Sequence, residues 1–96
     1  MKDYLKEVNG TSLQGYVDVS YEELVRIFGK PNAKGDCYKI DAEWEIQTPF
    51  GVATIYNYKD GKNYMGDEGV EVEEITEWHI GGHNKETAGY IVEKII

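Results

Sequence analysis

Carboxylates are the most concentrated reactive groups in this sequence. Eleven consecutive residues, 67–77, hold six of them and contain no Lys or Arg. The six, named here the acidic segment, are Asp67, Glu68, Glu71, Glu73, Glu74 and Glu77. A surface this negative repels nucleic-acid phosphates and attracts basic protein surfaces. The acidic segment therefore predicts a basic or nucleic-acid-processing protein as partner, and it argues against direct binding of nucleic acid.

A plainer interpretation of the same segment is a solvated face. Val70, Val72 and Ile75, followed by Trp78, have a spacing that allows them to pack inward. The carboxylates would then simply face water, where charged side chains are normally found. Sequence alone leaves both interpretations open.

A second set of carboxylates, Asp41, Glu43 and Glu45, alternates with apolar residues along residues 38–47. Such alternation predicts a strand with one dry face and one solvated face. Joined to the acidic segment, these three carboxylates would extend a surface that resembles a phosphate backbone. Closely spaced carboxylates also bind hard cations or divide acid and base roles, so an enzyme is a further hypothesis, ranked below binding. Solvent-facing charge is equally normal for a half-buried antiparallel sheet.

A different kind of site is indicated where a strand would run into a glycine pair and then a helix start. Its residues are Trp78, His79, Gly81, Gly82, His83 and Lys85. Backbone N–H groups at a helix N-terminus bind anions, and an aromatic ring stacks on a base. The alternative hypothesis is therefore a small-molecule binder that sequesters a nucleotide-like signal at Gly81-Gly82-His83. The competing interpretation is an ordinary tight turn with Trp78 in the core.

The sequence predicts no catalytic residue, no metal site and no cofactor. His79 and His83 have the spacing of two zinc ligands on a helix, but the glycines between them disfavour a helix. Cys37 has no evident base partner, and Ser12 and Ser20 lack the glycines of a nucleophile elbow. Occupation of a partner's surface, without chemistry, is thus the predicted mechanism.

Composition indicates one folded domain spanning residues 1–96. Hydrophobic residues make up 41% and charged residues 29%, with a net charge of −8 at pH 7, which is a globular composition. No apolar run is long enough to cross a bilayer, and the first residues lack the features of a signal peptide, so we expect the cytoplasm. A single cysteine fits that reducing compartment.

Local signals predict the elements that would carry these residues. Ser20 and Glu23 form a capping-box pattern, which places a helix start at Tyr21, and Gly29 with Pro31 ends that helix. The residues before it, 13–18, are typical of a short edge strand or a tethered arm.

A hairpin follows in the middle of the chain. Residues 48–51, which include a proline and a glycine, predict a turn that joins strand 38–47 to a second strand at 52–59. Residues 62–69 are expected to form a loop, and residues 75–80 a third strand.

Asn84 is a predicted cap for a final helix, Lys85–Ile95. The expected fold is α+β, an antiparallel sheet of three to four strands with two helices packed on one face. A homodimer is left open, because small sheets commonly pair an edge strand across a two-fold axis.

Five stretches of the sequence carry a family resemblance. They are residues 10–16, 28–31, 41–44, 53–59 and 75–82, which read GTSLQGY, FGKP, DAEW, ATIYNYK and ITEWHIGG. Together they resemble a small acidic bacteriophage protein family of unassigned function, and the resemblance brings no catalytic motif with it. It implies a phage protein in the host-cell cytoplasm, where small acidic proteins often inhibit bacterial defence, as anti-CRISPR and anti-restriction proteins do. The hypothesis is a phage accessory protein that binds and blocks a host defence component.

Overall fold

The computed structural model describes residues 12–33, 40–58 and 61–96. It is an α+β fold built on a four-stranded sheet in which all neighbouring strands are antiparallel. The strands are β1 (Ser12–Asp18), β2 (Glu43–Thr48), β3 (Gly51–Tyr56) and β4 (Glu77–Gly82), and their spatial order is β1-β4-β3-β2. The helices are α1 (Tyr21–Phe28), the single turn α2 (Lys62–Met65) and α3 (Lys85–Ile95). The expected antiparallel sheet with two main helices on one face is confirmed.

Two tryptophans form the centre of the core. Trp44 on β2 and Trp78 on β4 are both 0% exposed, and their rings meet edge to face with centroids 5.4 Å apart. The ring of Tyr21, from the first turn of α1, lies 5.8 Å from the first and 6.4 Å from the second. Edge-to-face pairs of this kind contribute about 0.5–1.5 kcal/mol beyond the area that they bury. The sheet and α1 therefore meet at an aromatic cluster.

Both indole N–H groups donate hydrogen bonds to the chain at the ends of α1. The Nε1 of Trp78 donates to the carbonyl of Val19, just before the helix, over 2.9 Å. The Nε1 of Trp44 donates to the carbonyl of Gly29, just after it, over 2.8 Å. A buried indole needs such an acceptor, so the same two side chains that fill the core also fix both ends of α1.

The boundaries of α1 follow the predicted cap and stop. The Ser20 hydroxyl accepts from the Glu23 N–H over 3.1 Å, and Gly29 ends the helix at a φ of 85°. The reciprocal half of the capping box differs, because the Glu23 carboxylate accepts two hydrogen bonds from Arg26, of 2.8 and 2.9 Å. The helix keeps its expected start with one side-chain cap.

Strand boundaries depart from the sequence prediction at several places. The predicted strand 38–47 was too long, since β2 begins at Glu43; residues 38 and 39, like Cys37, lie outside the described residues. Just before β2, the side-chain Oδ1 of Asn57 accepts from the backbone N–H groups of Asp41 and Ala42, over 2.7 and 3.0 Å. This side chain, 0% exposed, takes the place of a neighbouring strand.

Further along the chain, one element differs in type from the prediction and one strand differs in its boundaries. The predicted loop at 62–69 contains the helical turn α2 and a 3₁₀ turn, Gly66–Glu68. The third strand runs over Glu77–Gly82, two residues later than expected. The segment expected to be an edge strand or an arm is the edge strand β1.

A strand ends in the glycine pair and a helix starts soon after it, as expected, but the interpretation of the pair as a tight turn was wrong. Gly81 and Gly82 are the last residues of β4, where they pair with β1 on one side and β3 on the other. The side chain of Thr87, 0% exposed in the first turn of α3, lies directly against Gly82. Any Cβ at position 82 would overlap the Thr87 hydroxyl, so glycine here allows the helix to approach the sheet.

Replacement of Gly82 by alanine is expected to destabilise the protein by about 1–3 kcal/mol, because the added methyl pushes α3 away from β4. Chemical denaturation of wild type and variant measures the change. Gly15→Ala is the matched control, since the nearest atom to its new Cβ is the Ala88 methyl at an ordinary 3.8 Å. The double variant G82A/T87A should lose less than the sum of the two single losses. Equal stabilities for G82A and G15A would contradict this packing.

Candidate functional site

The acidic segment lies on residues 67–77, which begin soon after α2 and end at the first residue of β4. Two 3₁₀ turns, Gly66–Glu68 and Val72–Glu74, overlap this stretch. The side chains of all six of its carboxylate residues are exposed. This holds for Asp67, Glu68, Glu71, Glu73, Glu74 and Glu77 alike. The charge that the sequence concentrates in one stretch therefore appears at the surface of the folded chain.

Apolar residues and backbone hydrogen bonds fix the second half of this segment. Ile75 is 3% exposed and belongs to the core, and Val72 packs partly buried against it, as the inward-packing interpretation predicted. The N–H of Val19 donates to the Thr76 carbonyl over 2.8 Å, which ties the segment to the start of α1. Val70 was expected to pack inward and does not, being 40% exposed. The carboxylates between these anchors are thus presented from an ordered backbone.

Asp41, Glu43 and Glu45 do not form the single solvated strip that was expected. Glu43 is 7% exposed and Glu45 is half-buried, so neither is a simple solvent-facing charge. Asp41 precedes the strand, and its carboxylate accepts from the Asn57 amide over 3.0 Å. Asp41 therefore lies outside β2, whereas Glu43 and Glu45 share one face of that strand with reduced exposure. Of the acidic segment, only Glu77 lies within the sheet.

The strand register reveals a row of residues that sequence reasoning missed. Glu43 is paired with Tyr56, Tyr56 with His79, and His79 with Tyr16, so one row crosses all four strands. Side chains of directly paired residues lie on the same sheet face, here the face opposite Trp44 and Trp78. The alternation within each strand predicts which of its residues share a face, but the pairing between strands cannot be seen in the sequence.

His79 is the centre of the aromatic contacts in that row. Its ring stacks on Tyr56 at 5.3 Å between centroids and meets Tyr16 edge to face at 4.9 Å. Tyr58, just beyond β3, adds an edge contact at 6.0 Å. Tyr16 is 59% exposed, so the cluster reaches the surface at the β1 edge.

The surroundings of Tyr56 raise the pKa of its phenol. Burial raises the pKa of its phenol, and the negative charge of Glu43 raises it further, with smaller contributions from Tyr16 and Tyr58. At neutral pH the phenol therefore keeps its proton and is not an anionic base.

The structure does not assemble the residues of the alternative nucleotide-type site into one pocket. The Trp78 side chain lies in the core, while its neighbour His79 lies on the other sheet face. His83 and Lys85 are exposed beyond the strand end. At the start of α3, the Asn84 side chain accepts from the Thr87 N–H over 3.1 Å, as the predicted cap requires. The nucleotide hypothesis stays a prediction without added geometric support.

No protein-family model matches the chain, and no curated protein or solved structure is significantly similar to it. The phage-family resemblance therefore stays a prediction. Among the described residues, no group of three or more His, Cys, Asp and Glu side chains is arranged to hold a metal ion. Within the same residues, no helix has the length and apolar content that spanning a membrane requires.

Tyr56 is expected to titrate above the ordinary tyrosine pKa of about 10. The Tyr56 phenol then loses its proton at a lower pH in the unfolded chain than in the folded chain. The stability that this difference contributes is therefore complete below about pH 10, and it is lost as the pH rises through the folded-state pKa. Carbon-13 NMR of the labelled Tyr56 ring carbon against pH measures the folded value directly. Tyr56→Phe should make the alkaline loss of stability less steep.

Glu43→Gln tests the electrostatic part of this shift, since it removes the charge and keeps the shape. The Tyr56 pKa should fall towards its ordinary value but remain above it, because burial is the larger cause. A Tyr56 pKa at or below the ordinary value in the wild type would contradict the arrangement.

Proposed function

We propose that this chain binds a basic surface of another protein through the acidic segment and acts by occupying that surface. The observation that carries the proposal is that all six carboxylates are exposed on one short stretch of chain, the second half of which is anchored to the core. In the phage setting that the resemblance implies, the occupied protein is a host defence component of the CRISPR or restriction type. Such proteins bind nucleic acid and so carry the basic surfaces that an acidic mimic fits.

Charge density supports this proposal in two ways. Opposite charges steer two proteins together and raise the association rate, an effect screened over about 8–10 Å at ordinary ionic strength. Carboxylates on neighbouring residues, such as Glu73 and Glu74, resemble the spaced charges of a phosphate backbone. The net charge of −8 adds a longer-range field of the same sign.

Order in the segment supports it as well. The N–H of Glu74 donates to the Glu71 carbonyl over 2.8 Å, and that of Ile75 donates to the Val72 carbonyl over 3.3 Å. A binding segment whose backbone is already folded loses less conformational entropy on association. The same charges on a disordered tail would have to order on binding.

Charge reversal in the acidic segment is expected to slow association with the basic partner. The partner is first captured from a lysate of the host bacterium and purified, and stopped-flow or biosensor kinetics then give the rate constants. At low salt, E73K/E74K should lower the association rate about tenfold or more, and the neutral E73Q/E74Q should have an intermediate effect. Added salt should reduce the difference between the three proteins.

The single variants Glu73→Lys and Glu22→Lys form the matched pair, because both change the net charge equally and Glu22 is exposed on α1 outside the acidic segment. Only Glu73→Lys should slow association. Equal association rates for wild type, E73K/E74K and E73Q/E74Q would refute binding through this surface. The host-defence part has its own test, since expression of the chain should restore plaque formation by a phage that CRISPR or restriction normally blocks. Unchanged plating with both kinds of defence would refute that part alone.

A further inference from the structure

A groove of about 490 Å³ lies between the β2–β3 turn and the outer side of α3. Its lining residues are Pro49, Phe50, Glu86, Gly89, Tyr90 and Glu93. The volume falls within the range of about 300–1,000 Å³ that is usual for ligand pockets. None of these residues belongs to the acidic segment, so the groove is a separate feature of the surface.

Asn84 fixes the two walls of the groove relative to each other. Its amide nitrogen donates to the carbonyl of Phe50 in the turn over 3.2 Å. Its amide oxygen caps α3 through the N–H of Thr87. One side chain therefore joins the hairpin turn to the helix start, and the groove is present before anything binds.

Aromatic rings and carboxylates line the same groove. Phe50 is 50% exposed, and Tyr90 packs its inner side against the core. Glu86 and Glu93 are exposed, and they lie seven residues apart on α3, about two helical turns, on the stripe that also contains Tyr90. Aromatic faces and carboxylates both attract cations, so the chemistry of the lining selects a positively charged group with a planar or apolar part.

Gly89 lies between these side chains and has no packing reason within the described residues. Apart from its chain neighbours and the backbone of α3 itself, no described heavy atom lies within 4 Å of the position that its Cβ would occupy, and its φ is not in the left-handed region. Glycine within a helix costs up to about 1 kcal/mol relative to alanine. Because Gly89 has no side chain, the floor of the groove stays open to close approach by another molecule.

One face of the Tyr90 ring is already occupied by a cation of the chain itself. The Nζ of Lys94 lies 5.2 Å from its centroid, within the range of a cation–π contact. The ring of Phe50, which is 50% exposed, is the aromatic surface of the groove on which a second cation can stack.

We propose that this groove binds an arginine side chain presented by the protein partner. The planar guanidinium stacks on an aromatic ring and pairs with a carboxylate at the same time, which the compact ammonium of lysine does less well. This inference rests on the proposed function for the protein nature of the occupant. It adds a second contact, at a place in the fold that the acidic segment does not reach.

The test is an NMR titration of the nitrogen-15-labelled protein with the blocked tripeptide acetyl-Gly-Arg-Gly-amide. The amide signals of Phe50, Gly89 and Tyr90 are expected to shift. The same tripeptide with citrulline, a neutral isostere of arginine, should bind at least tenfold more weakly, and the lysine version should lie between them. Shifts of equal size with citrulline, or shifts confined to the acidic segment, would overturn the proposal.

Gly89→Ala separates binding from folding. The variant should raise Tm by about 4 °C, because alanine favours the helix and meets no neighbour, while it weakens tripeptide binding by filling the groove floor. Gly89→Leu should abolish the binding. Unchanged binding in G89L would overturn the proposal, whatever the stability of the variant.

Neutralisation of the carboxylates gives a matched pair. E86Q/E93Q should weaken tripeptide binding by about fivefold or more. D18N/E22Q removes two exposed carboxylates elsewhere and should leave it unchanged. Groove signals that shift with protein concentration in the absence of peptide would show that a second copy of the chain occupies the groove, which also overturns the proposal.

The tripeptide titrations do not involve the acidic segment. If the tripeptide fails to bind while E73K/E74K still slows association with the purified partner, the groove proposal fails and the proposed function stands. The opposite pattern, tripeptide binding without any effect of charge reversal, refutes the acidic surface while the arginine site in the groove stands.

Discussion

The two buried indoles are the constraint on which the rest of this structure depends. Trp44 and Trp78 occupy neighbouring regions of the same core, and each also needs an acceptor for its N–H. Because the carbonyls before and after α1 meet that need, the helix has one position on the sheet. A core of aliphatic side chains would bury similar area, but it would not fix the helix ends in this way, since dispersion contacts have no direction.

The consequence extends to the surface through Val19. Its carbonyl accepts from the Trp78 indole, and its N–H donates to the Thr76 carbonyl, so one residue joins the start of α1 to the end of the acidic segment. Exposed negative charge is therefore carried by backbone that belongs to the core network. Mutual repulsion among neighbouring carboxylates favours an expanded chain, and anchors such as Ile75 oppose it.

Features with a local cause could be predicted from the sequence, and features that depend on pairing could not. Ser20 and Asn84 cap their helices as expected, because a cap is made within four residues. The burial of Glu43 and the aromatic row around His79 depend on which strands are neighbours, and the alternation within one strand does not specify this. The start of β2 was missed for a third reason. The alternation begins before the strand does, and the backbone N–H groups of Asp41 and Ala42 donate to the Asn57 side chain rather than to a neighbouring strand.

The strand order has a consequence for how the chain folds during its synthesis. β2 and β3 pair through a tight turn, whereas the paired residues of β1 and β4 lie between 59 positions (Asp18 and Glu77) and 70 positions (Ser12 and Gly82) apart in the chain. Until β4 has left the ribosome, β1 lacks the one strand that neighbours it among the described residues, and the Val19 carbonyl before α1 lacks the Trp78 indole. The hairpin can form early, but the first strand and helix must wait for the last strand, so closure of that long loop is the step that completes the core.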